Sequence, residues 1–147
     1  MVDIETVIEI DRPRGLVAAF AVDPDNATRW YRNIKLVTWQ TDPPVVVGSR
    51  VAFTAQFLGR RLSYTYRVDE LHPGERLVMS TADGPFPMET TYLFGDAGEG
   101  RTEVRLRNRG RPEGFSRVVT PFLSIAMRRA NRNDLRALKR ALEDDLG

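Results

Sequence analysis

From Ile34 onward the apolar residues of this chain recur at every second position, in short runs separated by turn-forming residues, and only one later segment carries a helical period. A chain patterned this way builds a sheet with one wet face and has a single long helix to cover the other. Val51, Phe53, Ala55 and Phe57 share a face; so do Tyr64, Tyr66 and Val68, then Leu77 and Met79, then Met88, Thr90, Tyr92 and Phe94, then Val104 and Leu106. Turns fall at Asp42-Pro43-Pro44, Leu58-Gly59-Arg60, His72-Pro73-Gly74, Asp83-Gly84-Pro85 and from Gly95 to Gly100, each between runs short enough for hairpins.

Ahead of this meander, residues 3–11 alternate, with Ile4, Thr6, Ile8 and Ile10 on one side and Asp3, Glu5, Glu9 and Asp11 on the other. They predict a half-buried strand. Pro13 suits the first turn of a helix whose stripe is Leu16, Val17, Phe20 and Ala21 and which Asp23-Pro24 breaks. A second short helix is expected around Asn26 to Arg32, presenting Trp30 and Tyr31. Glu103, Arg105, Arg107 and Arg109 occupy the wet side of the last strand, where they pair with Glu5 and Glu9 if the first and last strands are neighbours.

The segment from about Ser116 to Leu146 spaces Leu123, Met127, Asn131, Leu135, Leu138 and Leu142 at three-four intervals, with Arg128, Arg129, Arg132, Arg136 and Arg140 on other faces. One amphipathic helix of about twenty-five residues is roughly 38 Å long but only about 10 Å across, whereas seven strands make a sheet roughly 30 Å wide. One stripe cannot cover that sheet. Either an apolar patch is left to water, which soluble monomers avoid, or the sheet curls around the helix and encloses space. Curling is the less costly outcome.

A length of 147 residues suits one domain, 1–147, with a sizeable core. The absence of cysteine excludes a disulfide scaffold, a thiolate nucleophile and Cys-held metal or iron–sulfur centres. The longest apolar run, Leu16 to Val22, is too short to span a bilayer, and the acidic start Asp3-Ile4-Glu5 does not read as a signal peptide, so a cytoplasmic location is expected. Twenty of the twenty-two cations are arginines and the net charge is only +2, so nucleic acid is not expected as a partner. The single histidine, His72, sits in a turn context, and no Gly-x-Ser-x-Gly elbow or phosphate loop occurs; Gly95 to Gly100 joins two strands. Scattered acids argue against a metal site, and no cofactor is expected.

Three local phrases add a resemblance: Pro44-Val45-Val46-Val47-Gly48-Ser49-Arg50 entering a strand, Val68-Asp69-Glu70-Leu71-His72-Pro73-Gly74-Glu75-Arg76-Leu77 at a hairpin, and Asn131-Arg132-Asn133-Asp134-Leu135-Arg136-Ala137-Leu138-Lys139 in the last helix. With the order of elements, they resemble the START/Bet v 1-like (SRPBCC) superfamily, in particular its bacterial polyketide cyclase/dehydrase and lipid-transport members, over essentially the whole chain. The resemblance implies an α+β helix-grip fold: a seven-stranded curved antiparallel sheet wrapped around a long C-terminal helix, with two short helices between the first two strands. It also implies an internal, mostly apolar cavity, used across the superfamily for lipids, sterols, quinones, plant hormones or polyketides. A pocket is implied, not a reaction.

Periodicity aims Tyr64, Tyr66, Thr90, Tyr92, Asn108 and, from the helix, Asn131 into that cavity. A tyrosine supplies both wall and hydrogen-bond handle. Asn131 stands on an apolar stripe, so its amide requires a partner, water or ligand, and a bond to Asn108 is one solution. Phe53, Phe57, Met79, Met88, Phe94, Leu123 and Met127 complete the apolar lining. Asp134, one turn from Asn131, reads either as a pocket acid or as a carboxylate at the helix edge. Three functions remain open: a non-enzymatic binder of a small hydrophobic molecule, a cyclase/dehydratase acting on a poly-carbonyl chain, and an interaction module using the arginine face. The state is expected to be monomer or homodimer.

Overall fold

The structure is a computed structural model and describes residues 2–31, 33–57, 59–81, 87–111 and 120–145. The Asp83-Gly84-Pro85 turn, Leu58, the start of the helical segment at 116–119 and Leu146 lie outside the described residues, as does the side chain of Phe57. Seven strands, β1 (Val2–Ile10), β2 (Ile34–Trp39), β3 (Arg50–Phe57), β4 (Arg60–His72), β5 (Arg76–Thr81), β6 (Met88–Asp96) and β7 (Thr102–Gly110), form one antiparallel sheet in the order β1-β7-β6-β5-β4-β3-β2. Two helices, α1 (Arg14–Val22) and the four-residue α2 (Ala27–Trp30), connect β1 to β2 through a 3-10 turn at Pro24–Asn26. The long helix α3 (Thr120–Arg140) ends in a π-turn over Ala141–Asp145. This is the α+β helix-grip arrangement. No helix among the described residues is long and apolar enough to cross a membrane.

Because β1 and β2 are opposite edges of the sheet, the α1–α2 connection must traverse the whole open face, and α2 meets α3 there. The second helix ends at Trp30, earlier than its sequence suggests. Tyr31 leaves helical geometry, with ψ at 109°, and the chain turns into β2. The β1–β7 register sets Glu5 opposite Arg107 and Glu9 opposite Glu103. Arg105 bonds Glu5 at 3.0 Å and Glu103 at 2.7 Å, while Arg107 grips both oxygens of Asp3. Glu9 is the exception: a glutamate faces it, and it takes Arg101 at 2.8 Å instead. Such exposed pairs fix register more than they stabilise. Arg107 also holds the Asp3 carboxyl below its ordinary range.

Glu143 ties the end of α3 to the end of β1. Its Oε2 accepts from the Asp11 backbone N–H at 2.7 Å and from Lys139 Nζ at 2.6 Å; its carbonyl accepts from Arg12 at 2.6 Å. Partial burial pushes the Glu143 carboxyl up, but the Asp11 N–H, Lys139 and Arg12 together outweigh it and the pKa is lowered. A carboxylate with a lowered native pKa contributes stability that is fully present above its unfolded value and is lost as pH falls through the native one. Glu143→Gln is therefore expected to lower stability by about 1 kcal/mol at neutral pH. In urea titrations the difference from wild type should shrink in acid; a difference independent of pH would contradict the ionic tie.

Three groups of buried apolar side chains hold the fold. The first gathers Ile10, Val17, Phe20, Trp30, Leu77, Tyr92, Phe94, Leu106, Leu135, Leu138 and Leu142; the second Val2, Ile4, Leu123 and Met127; the third Ala27, Val51, Phe53 and Tyr66.

Candidate functional site

The fully buried members of these groups stay apart, bridged by the partly buried Tyr31, Met79 and Met88. Between the groups lies a cavity of about 330 Å³, a volume within the range that accommodates a small organic ligand. Tyr92 and Leu106 enter its wall from the first group, Leu123 and Met127 from the second, Phe53 and Tyr66 from the third. The cause lies in the sequence of α3. Its stripe is large and apolar at Leu123 and Met127 and again at Leu135 and Leu138, but the residues between that face the cavity are Ala130, Asn131 and Asp134. Short and polar side chains at mid-helix leave the hollow of the sheet unfilled, where leucines would have filled it.

The sheet side of the cavity is set by register. Met79 lies opposite Thr90, and Thr90 opposite Asn108. Thr90 Oγ1 donates to Asn108 Oδ1 at 2.7 Å and sits 3.5 Å from the Tyr66 hydroxyl. A threonine has one hydroxyl proton, so the short bond to Asn108 takes it and the longer contact is weak. Asn108 thus finds its partner within the sheet. The Asn108–Asn131 bond considered from sequence is not formed: Asn131 Nδ2 is buried with no acceptor among the described residues. The Tyr92 hydroxyl, on a residue 1% exposed, is likewise without a partner. Asp134 is buried in the wall and is not a solvated helix-edge carboxylate.

Burial, reinforced by the nearby Asp134 carboxyl, pushes the Tyr92 hydroxyl well above the ordinary tyrosine value. Burial lifts Tyr66 to about 12, against a lowering contribution from Thr90, and lifts Tyr64 as well. All three hydroxyls are therefore protonated near neutral pH and serve as O–H donors, not as bases. The Tyr66 ring meets Phe53 edge-on at 5.8 Å and Tyr64 at 6.2 Å. Asn131 and Tyr92 thus bring an unpartnered amide N–H and an unpartnered phenolic O–H to the wall of a cavity that is otherwise mostly apolar. Arg60 also lines it and is exposed, so the chamber reaches solvent on the β3–β4 turn side.

Of the residues singled out from sequence, Phe53, Tyr64, Tyr66, Met79, Met88 and Thr90 line the cavity, with Tyr92, Asn108, Leu123, Met127 and Asn131. Phe94 instead packs in the first group, stacked with Tyr92 at 6.3 Å. His72 is exposed beside Glu70. Sequence reasoning missed Ala55, Leu62 and Leu106, which share strand faces with Phe53, Tyr64 and Val104 and were open to the same parity rule. It also missed Tyr31, Asn33 and Ile34, whose place depends on how the chain leaves α2.

The family described as "Polyketide cyclase / dehydrase and lipid transport" matches residues 1–143. A search of curated proteins finds no sequence match. Among solved structures, TTHA0849 from Thermus thermophilus superposes with a TM-score of 0.86 at 16% identity, covering 99% of both chains. The Zhui aromatase/cyclase from a Streptomyces species gives 0.82 at 16% identity, over 99% of this chain and 98% of that one. A START superfamily protein from Mycobacterium smegmatis gives 0.80 at 13%, over 99% of each. At these identities the likeness is one of fold.

Proposed function

The chain belongs to the polyketide cyclase/dehydrase and lipid transport family, and from that premise we propose that it binds a small hydrophobic or aromatic ligand, lipid-, quinone- or polyketide-like, in the cavity between sheet and α3. Phe53, Met79, Met88, Leu123 and Met127 hold the ligand's apolar body, and Tyr64, Tyr66, Thr90, Tyr92, Asn108 and Asn131 orient its polar groups. Phe57 belongs to the same proposal through its strand parity. One observation carries the reading: Asn131 Nδ2 and Tyr92 Oη belong to residues on the wall of an apolar cavity, are buried, and have no partner among the described residues. An unpartnered buried donor costs about 1–3 kcal/mol, which a ligand carbonyl or hydroxyl recovers. Burying about 300 Å² of ligand apolar surface adds roughly 7 kcal/mol before ordering costs.

The test is a thermal-shift screen of the purified protein with fatty acids, quinones and aromatic polyketides, with native mass spectrometry for co-purified adducts. A ligand at about a hundred times its Kd should raise Tm by roughly 5–10 °C. No shift across the whole set, and no adduct, overturns the reading. A second reading, a cyclase/dehydratase acting on a poly-carbonyl substrate, has one observation in its favour: the Tyr92 O–H and the Asp134 carboxyl share the same wall, a donor to polarise a carbonyl beside an ionisable group. Return of a poly-carbonyl ligand unchanged from the same preparation supports the binder; loss of one water from it supports the enzyme.

A further inference from the structure

A second pocket, of about 460 Å³, lies between α2, the start of β2 and the last turns of α3. It shares Tyr31 and Ile34 with the cavity, so these two side chains form a common wall. The chemistry of the two spaces differs sharply. The second pocket gathers Arg29 from α2, Lys35 from β2 and Arg140 from α3, with no acid among the residues lining it. Arg29 and Arg140 make no ion pair with any described residue. The guanidinium of Arg29 lies 5.3 Å from the centre of the Phe20 ring. Two guanidinium groups without a described counter-ion, on the rim of one hollow, favour an anion there. Trp30 lines the same pocket, and its buried Nε1–H has no acceptor among the described residues.

We propose that the ligand is an amphipathic anion, whose carboxylate or phosphate is held by Arg29, Lys35 and Arg140 while its apolar body passes Tyr31 and Ile34 into the cavity. This rests on the binding reading above and adds the ligand's charge and orientation. Tyr31, half-buried and stacked on Trp30 at 3.8 Å, is the side chain that moves to admit the chain of the ligand.

The test uses the full chain loaded with the neutral probe N-phenyl-1-naphthylamine, displaced in turn by dodecanoate, dodecyl phosphate and dodecanol. At low salt both anions should displace the probe at about tenfold lower concentration than the alcohol, an advantage that shrinks at high salt. In the Lys35→Gln/Arg140→Gln double variant, both positions being exposed, the anions' advantage should fall to about threefold or less while dodecanol is unaffected. A larger gain for the phosphate points to a lipid headgroup, and a larger gain for the carboxylate to a free fatty acid; either supports the proposal. Equal displacement by all three compounds overturns the anion claim and leaves the binding reading standing. An anion advantage that survives the double variant and disappears in Arg60→Gln overturns the location. No uptake of the probe, together with no shift for any compound in the thermal screen and no adduct, takes both readings down together.

Discussion

Asn131→Leu is expected to make the empty protein more stable and a poorer receptor. Asn131 is 8% exposed as a residue and its buried Nδ2 finds no acceptor among the described residues, so leucine removes an unsatisfied donor and extends the apolar stripe of α3. A gain of about 1–2 kcal/mol is expected in urea unfolding. Affinity should change in the opposite direction for ligands that present an acceptor. Menadione and 2-methylnaphthalene differ by two carbonyls on the same ring frame. Wild type should prefer menadione, and the variant should lose about tenfold of that preference, the worth of one buried hydrogen bond. Opposite signs for stability and binding are what a group retained for function produces. If Asn131→Leu instead destabilises the protein and leaves the menadione preference intact, Asn131 is a structural residue and the inner end of the cavity does not recognise acceptors.

Leu138→Ala should cost about 2–5 kcal/mol and Met127→Ala about 1–2 kcal/mol, although both delete a buried apolar side chain from one face of α3. Leu138 is fully buried in the first apolar group, so its removal opens a new void in packed surroundings. Met127 borders the existing chamber and already lacks neighbours on one side, so removing it mainly enlarges a space that is there. The measurement is the pair of unfolding free energies, with a Tm loss for Leu138→Ala of roughly 5–15 °C. Equal losses at the two positions would mean that α3 is packed solidly along its length and that the chamber is filled.

The strands were legible because each has one wet face, and alternation is a local signal. Strand parity placed Phe53, Tyr64, Thr90, Tyr92 and Asn108 on the concave side, and the registers observed between β3, β4, β5, β6 and β7 align them there. The pairing of β1 with β7 was legible for a different reason: acids on one and arginines on the other promised complementary edges. Local signals failed where the outcome depends on distant parts of the chain. Glu9 faces Glu103 because register follows the whole strand, and it finds Arg101 beyond the strand end.

The site was legible in its walls and less so in its chemistry. Periodicity states which face a side chain occupies, not whether its polar atom finds a partner. Asn108 and Asn131 looked equivalent in sequence, yet one is bonded by Thr90 and the other is not. Asp134 hid for a related reason: a carboxylate at the border of a helical stripe is ambiguous until the curl of the sheet decides whether that border meets water. The cationic pocket was out of reach altogether, since Arg29, Lys35 and Arg140 come from three elements that meet only after α2 crosses the open face.

The register that sets Val2 against Gly110 also has a kinetic consequence. Strand β1 waits for β7 before it gains a hydrogen-bonded neighbour, while hairpins between sequential strands can close as they emerge. Such distant pairing raises contact order and slows folding towards the millisecond-to-second range. In the interval, Ile4, Ile8 and Ile10 travel without cover, and the acids that alternate with them serve the nascent chain by discouraging premature association.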